Sequence, residues 1–183
     1  MVLFGVVLTI RSNHRRAVFE RLEQRAKDRE LTLQAHYASF ATAGYGVMAA
    51  AGSLRACKIS RQQVDSGQLR LDQRQMEERL AYTRRLFDDS TTTASRSLAE
   101  ARCAFSAIVL LDEDQKRIIQ ARELLLSLYQ LPNKDEDGSI GLKVERQFEE
   151  FLGRVGVQLQ HEYVAGLDLA KRGQPYVRAG RAT

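Results

Sequence analysis

Residues 94–131 read Ala94-Ser-Arg-Ser-Leu-Ala-Glu-Ala-Arg-Cys-Ala-Phe-Ser-Ala-Ile-Val-Leu-Leu-Asp-Glu-Asp-Gln-Lys-Arg-Ile-Ile-Gln-Ala-Arg-Glu-Leu-Leu-Leu-Ser-Leu-Tyr-Gln-Leu131. Neither glycine nor proline interrupts this stretch. Leu98, Phe105, Ile108, Val109, Leu111, Ile118, Ile119, Leu124, Leu125, Leu126, Leu128 and Leu131 leave little of it polar all round. A helix that is apolar on more than one face belongs at the centre of a bundle. The reading is therefore all-α, with these residues as the core. Unbroken, the stretch would span about 57 Å at 1.5 Å per residue. Asp112-Glu-Asp-Gln115 offers N-caps that would split it into two helices.

Toward the C-terminus, Pro132 should end that core, followed by a polar loop. A last helix then runs over 142–171, with a seam at eleven-residue spacing. Val144 pairs with Val155, Phe148 with Leu159 and Leu152 with Tyr163. Eleven residues in three turns keeps a seam nearly straight along a helix. Residues 174–183 carry Pro175, one glycine and two arginines, and read as a flexible basic tail. Between the helices, Asn133, Asp135, Asp137, Gly138 and Ile140 follow the opening of an EF-hand loop over 133–144. The twelfth position is Val144 in place of the bidentate glutamate, so an acidic helix-to-helix turn is the favoured reading.

Toward the N-terminus, Asp88-Asp-Ser-Thr-Thr-Thr93 reads as a polar loop that stops a helix carrying Met76, Leu80, Thr83 and Phe87. Asp65-Ser-Gly67 signals a further turn, best taken as a helix–turn–helix joint. Residues 31–54 contain no Asp, Glu, Lys or Arg. Within them Ala38, Thr42, Gly46 and Ala50 form one row of small residues four apart, and Ala35, Ser39 and Ala43 form a second. Such rows let helix backbones approach closely, so these seven residues are the candidate interaction strip. A helix starting at Ser12 or Asn13 would lead into them. Met1-Val-Leu-Phe-Gly-Val-Val-Leu-Thr-Ile10 is too short to span a bilayer and lacks the basic start and cleavage site of a signal peptide. It reads as an apolar arm, 1–11, before a helical domain over 12–173. In sum the expectation is an elongated bundle of four to five long amphipathic helices.

The net charge of +5 is unevenly spread. Residues 1–55 hold eight Arg/Lys against four Asp/Glu, whereas 112–173 hold nine against twelve. The basic half favours anionic or acidic partners, or self-association with the acidic half. Arginines over 11–29 alternate with Glu20, Glu23, Asp28 and Glu30, which dilutes a phosphate-tracking face and disfavours nucleic acid. Cys57 and Cys103 lack metal-ligand spacing, and a reducing compartment or an assembled particle is favoured. No phosphate loop, dinucleotide fingerprint, His-Glu-x-x-His or nucleophile elbow occurs. His14, His36 and His161 lie far apart in sequence. No catalytic residue, cofactor, metal or small-molecule substrate is expected. The functional expectation is a structural subunit of a larger complex (a virion, a secretion or injection apparatus, or an organellar assembly), with protein partners or further copies of itself. The alternative is a membrane-active protein using residues 31–54.

Overall fold

One helix sets the frame. With no proline before Pro132, nothing in the first third of the chain breaks the backbone ladder. Helix α1 accordingly runs from Val2 to Asp65, about 96 Å at the helical rise. The computed structural model describes residues 2–68, 72–135 and 138–171, apart from the side chains of 2–16, Phe19, Leu22, Tyr163 and 165–171. The tail expected at 174–183, and Asp137 of the acidic loop, lie outside the described residues. Among the described residues there are four helices and no strand: after α1 come α2 (Gln73–Leu111), α3 (Gln115–Lys134) and α4 (Ser139–Lys171). The fold is an all-α bundle.

The joints follow local chemistry. After α1, Gly67 adopts φ +67°, a left-handed conformation open to glycine. Asp72 then caps α2: its carboxylate accepts from the Gln75 N–H, and the Gln75 side chain accepts from the Asp72 N–H. The helix–turn–helix reading of Asp65-Ser-Gly67 matches this joint. The core stretch does break at Asp112–Asp114, where Asp114 accepts from the N–H groups of Lys116 and Arg117.

Three expected boundaries are corrected. Helix α1 passes through Ser12 and Asn13 without starting there, because nothing upstream forces a break. Asp88–Thr93 is not a loop but the middle of α2. Its hydroxyls do not compete with the ladder: Thr91 and Thr92 donate to the carbonyls of Phe87 and Asp88, one turn back. Ser90 meanwhile turns inward with Ala94, Ser97, Ala101, Ala104 and Ile108, a buried stripe spaced alternately four and three apart. Pro132 lies inside α3, which continues to Lys134, since a proline near a C-terminus forfeits one hydrogen bond without ending the helix.

Helices α2 and α4 run antiparallel to α1, and α3 completes the core they share. Aromatic rings fill its middle. Phe40 of α1 stacks on Phe148 of α4 at 5.3 Å, and Tyr37 tilts against Phe151 at 5.8 Å. The Phe148 ring ends on Gly44, where an added Cβ would sit 2.5 Å from Cζ. Gly46 does the same for α2, because a Cβ there would lie 2.6 Å from the Ser97 hydroxyl. Gly153, on the outer side of α4, has no such neighbour.

These glycines separate two opposed effects. Gly44→Ala should destabilise the fold by about 1–3 kcal/mol through overpacking against Phe148. Gly153→Ala should instead stabilise it by about 0.5–1 kcal/mol through helix propensity. Urea unfolding of the two variants checks the opposite signs.

Candidate functional site

A row of residues four apart winds around a helix by about 40° per step, because 3.6 residues make a turn. The seven residues of the small-residue strip therefore cannot share one face. Ala35, Ala38, Ser39 and Thr42 are exposed, Gly46 is half-buried against Ser97, and Ala43 and Ala50 are buried. The strip contributes to two surfaces, one inside the bundle and one outside it.

The outside surface follows a different spacing. Leu31, Ala35, Ala38, Thr42, Tyr45, Ala49, Gly52, Ala56 and Ile59 recur alternately four and three apart, which holds a straight face. All are exposed except Gly52, which is half-buried, and Leu31 keeps 55% of its surface and Tyr45 41%. Along 31–54 no charge interrupts this face. Its aliphatic hydroxyls are turned back on the helix: Ser39, beside the face, donates to the Ala35 carbonyl at 2.9 Å and Thr42 to the Ala38 carbonyl at 3.0 Å. Covering these two side chains would therefore strand no donor. Between it and α4 lies an open groove of about 550 Å³, bordered by Leu31, Gln34 and Ala38 on one side and Leu152, Gly156 and Gln160 on the other. Sequence reasoning grouped these residues by fours and so missed Leu31, Tyr45 and Ala49. The alternating spacing was the available signal.

In the α4 seam, Val144, Phe148, Val155 and Leu159 are buried, whereas Leu152 is half-buried at the groove. The side chain of Tyr163 lies outside the described residues. Phe151, also buried on α4, stands eleven residues before Glu162.

Glu162 belongs to a cluster where all four helices meet. The Arg117 guanidinium is 2% exposed and grips the fully buried Asp112 carboxylate with two bonds of 2.8 Å, from Nε to Oδ2 and from Nη2 to Oδ1. Its Nη1 donates to Glu162 Oε1 at 2.7 Å. The Tyr37 hydroxyl of α1 donates to Asp112 Oδ2 at 2.7 Å. Burial alone would raise the Asp112 carboxyl. Hydrogen bonds from Arg117, the Asp114 N–H and Tyr37 outweigh it and hold Asp112 below the usual carboxylate range. Burial, reinforced by Asp112, pushes the Tyr37 hydroxyl well above the ordinary tyrosine value. Nearby, Arg29 of α1 donates to the Leu111 carbonyl and pairs with Glu113 at 2.8 Å. Nothing in the sequence pattern marks Arg117 as buried.

In the loop resembling an EF-hand, Asp135 serves the fold. Its Oδ2 takes Arg55 of α1 at 3.3 Å and its Oδ1 accepts from the Ile140 N–H at 3.1 Å. Val144 is in the core. Among the described residues no group of three His, Cys, Asp or Glu side chains is placed to hold a metal, and no helix is long and apolar enough to cross a membrane.

Arg117→Met should cost about 3–5 kcal/mol, since it leaves Asp112 buried without its cation. The linkage signs follow from the two shifts. Asp112, depressed in the folded state, contributes stability above about pH 3.9 that is lost as pH falls through its lowered value. Tyr37, raised in the folded state, contributes stability below about pH 10 that is lost as pH rises beyond it. The advantage of wild type over Tyr37→Phe in denaturant titrations should therefore be constant near neutrality and shrink above about pH 10.

No protein-family model, curated protein or solved structure matches the chain.

Proposed function

We propose that this chain is a structural subunit of a larger assembly, acting through helix–helix contacts on the outer face of α1 rather than through catalysis. The observation that carries this reading is that α1 has two seams. Leu33, Tyr37, Phe40, Val47, Ala51 and Leu54 are buried in the bundle. The seam from Leu31 to Ala49 is offset from them by two residues, about 200° around the helix. A surface helix normally turns charge toward water on that side. Here the outward side, from Leu31 to Ala49, is uncharged over more than two heptads.

Two further features support the reading. Every described side chain from Ala17 to Arg29 is exposed, which leaves that stretch of α1 accessible to a partner. Ile119, Leu126 and Tyr129 also leave an exposed apolar stripe on α3, with Leu126 at 52%.

Size analysis of the protein in an extract of its native source tests the reading. The chain should migrate in a complex well above its own 20.7 kDa. Thr42→Glu, a charge placed on an exposed position, should release it while leaving helical content and unfolding midpoint unchanged. A free monomer in the extract would overturn the proposal.

A further inference from the structure

We propose that the outer face of α1 is covered by a second copy of this chain, antiparallel across a two-fold axis, with each α1 lying in the α1–α4 groove of the other. The inference rests on the assembly reading and names its partner. Size complementarity gives the orientation. With the axis passing level with residue 40, Leu31 of one copy faces Ala49 of the other, Ala35 faces Tyr45, and Ala38 faces Thr42. Every large side chain then meets a small one, the arrangement in which packed layers interdigitate. A parallel pair would set Leu31 on Leu31, Tyr45 on Tyr45 and alanine on alanine, which crowds two layers and leaves gaps at the others.

The available area suffices for a specific pair. With the axis level with residue 40 the two seams overlap from Leu31 to Ala49, about 28 Å at the helical rise, and α1 beside α4 is two helices, about 20 Å, wide. That footprint of roughly 560 Å² per partner, about 1,100 Å² in all, clears the size a specific interface needs. α4 leaves room for it at Gly156, which lines the groove and where a Cβ would meet nothing within 4 Å. Charge fits as well. The segment from 31 to 54 carries none, so it brings no ion into the groove of the other copy, whose Lys27 and Glu30 line one end. The inward-turned hydroxyls of Ser39 and Thr42 leave only their carbon surface to pack. The basic stretches at Arg21–Arg29 and Arg55–Arg61 then lie alongside each other at the edges, in water. Added salt should screen their repulsion and tighten the dimer.

Sedimentation velocity on the purified full chain should give twice 20.7 kDa, with a dissociation constant that falls or holds steady as salt rises. Ala38→Arg should weaken the dimer about a hundredfold or more by burying an unpaired charge, with circular dichroism unchanged. Orientation is read by disulfide trapping in a Cys103→Ser background. Mixing Ala38→Cys with Thr42→Cys should give a cross-linked pair, and Ala38→Cys alone should give none, because antiparallel geometry parts equivalent residues beyond disulfide reach. A purified chain monomeric at every concentration, cross-linking of Ala38→Cys to itself, or a dimer indifferent to Ala38→Arg would each overturn the proposal. If the purified chain is monomeric while the native complex persists and still dissociates with Thr42→Glu, only self-pairing fails and the assembly reading stands.

Discussion

Burying a guanidinium is expensive unless each of its faces finds an acceptor, and Arg117 is buried at a point that touches every helix. Asp112 ends α2, Arg117 sits in the first turn of α3, Tyr37 comes from α1 and Glu162 from α4. Satisfying Arg117 therefore requires the α2–α3 break to fall at Asp112. It also sets the rotation that points Tyr37 inward, and it puts α4 in the register that brings Glu162 alongside. An apolar core of leucines and alanines tolerates sliding by a turn. A buried ion with fixed acceptors does not.

That constraint also explains how α1 comes to have two faces. Once Tyr37 is committed inward, 3.6 residues per turn place Phe40, Gly44, Val47, Ala51 and Leu54 inward with it. Ala35, Ala38, Thr42 and Ala49 are then turned outward whatever their chemistry. Among the glycines of α1, the bundle needs Gly44 where it meets Phe148 and Gly46 where it meets Ser97. Internal packing asks nothing of Ala38 or Ala49, which makes their lack of charge a property of the surface.

Much of the fold was legible because it rests on periodicity. The all-α class, the break after Leu111, the turn at Gly67 and the buried positions Val144, Phe148, Val155 and Leu159 all follow from spacing and capping chemistry. Helix continuity was harder to read. Asp88–Thr93 resembles a loop in composition, yet back-bonded threonines and a buried Ser90 keep it helical, and those are tertiary choices that a local propensity does not contain. The seven residues of the small-residue strip do not share one face of α1, since rows of four drift around the helix while a face needs fours and threes. The Arg117 cluster was invisible. Its members are scattered from residue 37 to residue 162, and any of them alone reads as a solvated surface charge or a core tyrosine.

Tyr37 has a double address. Its hydroxyl completes the Asp112–Arg117 cluster, and its ring lines the groove between α1 and α4. One side chain in both places makes them a single thermodynamic unit. A helix seated in the groove meets Tyr37 in its working position only while the cluster is closed, so binding and closure favour each other by the same free energy. The joint between α2 and α3, remote in sequence from the outer face of α1, is then braced by whatever covers that face. A loosened joint in turn lowers the affinity of the groove. In an assembly of the kind proposed, seating a helix in the groove and closing the α2–α3 joint would each make the other more favourable.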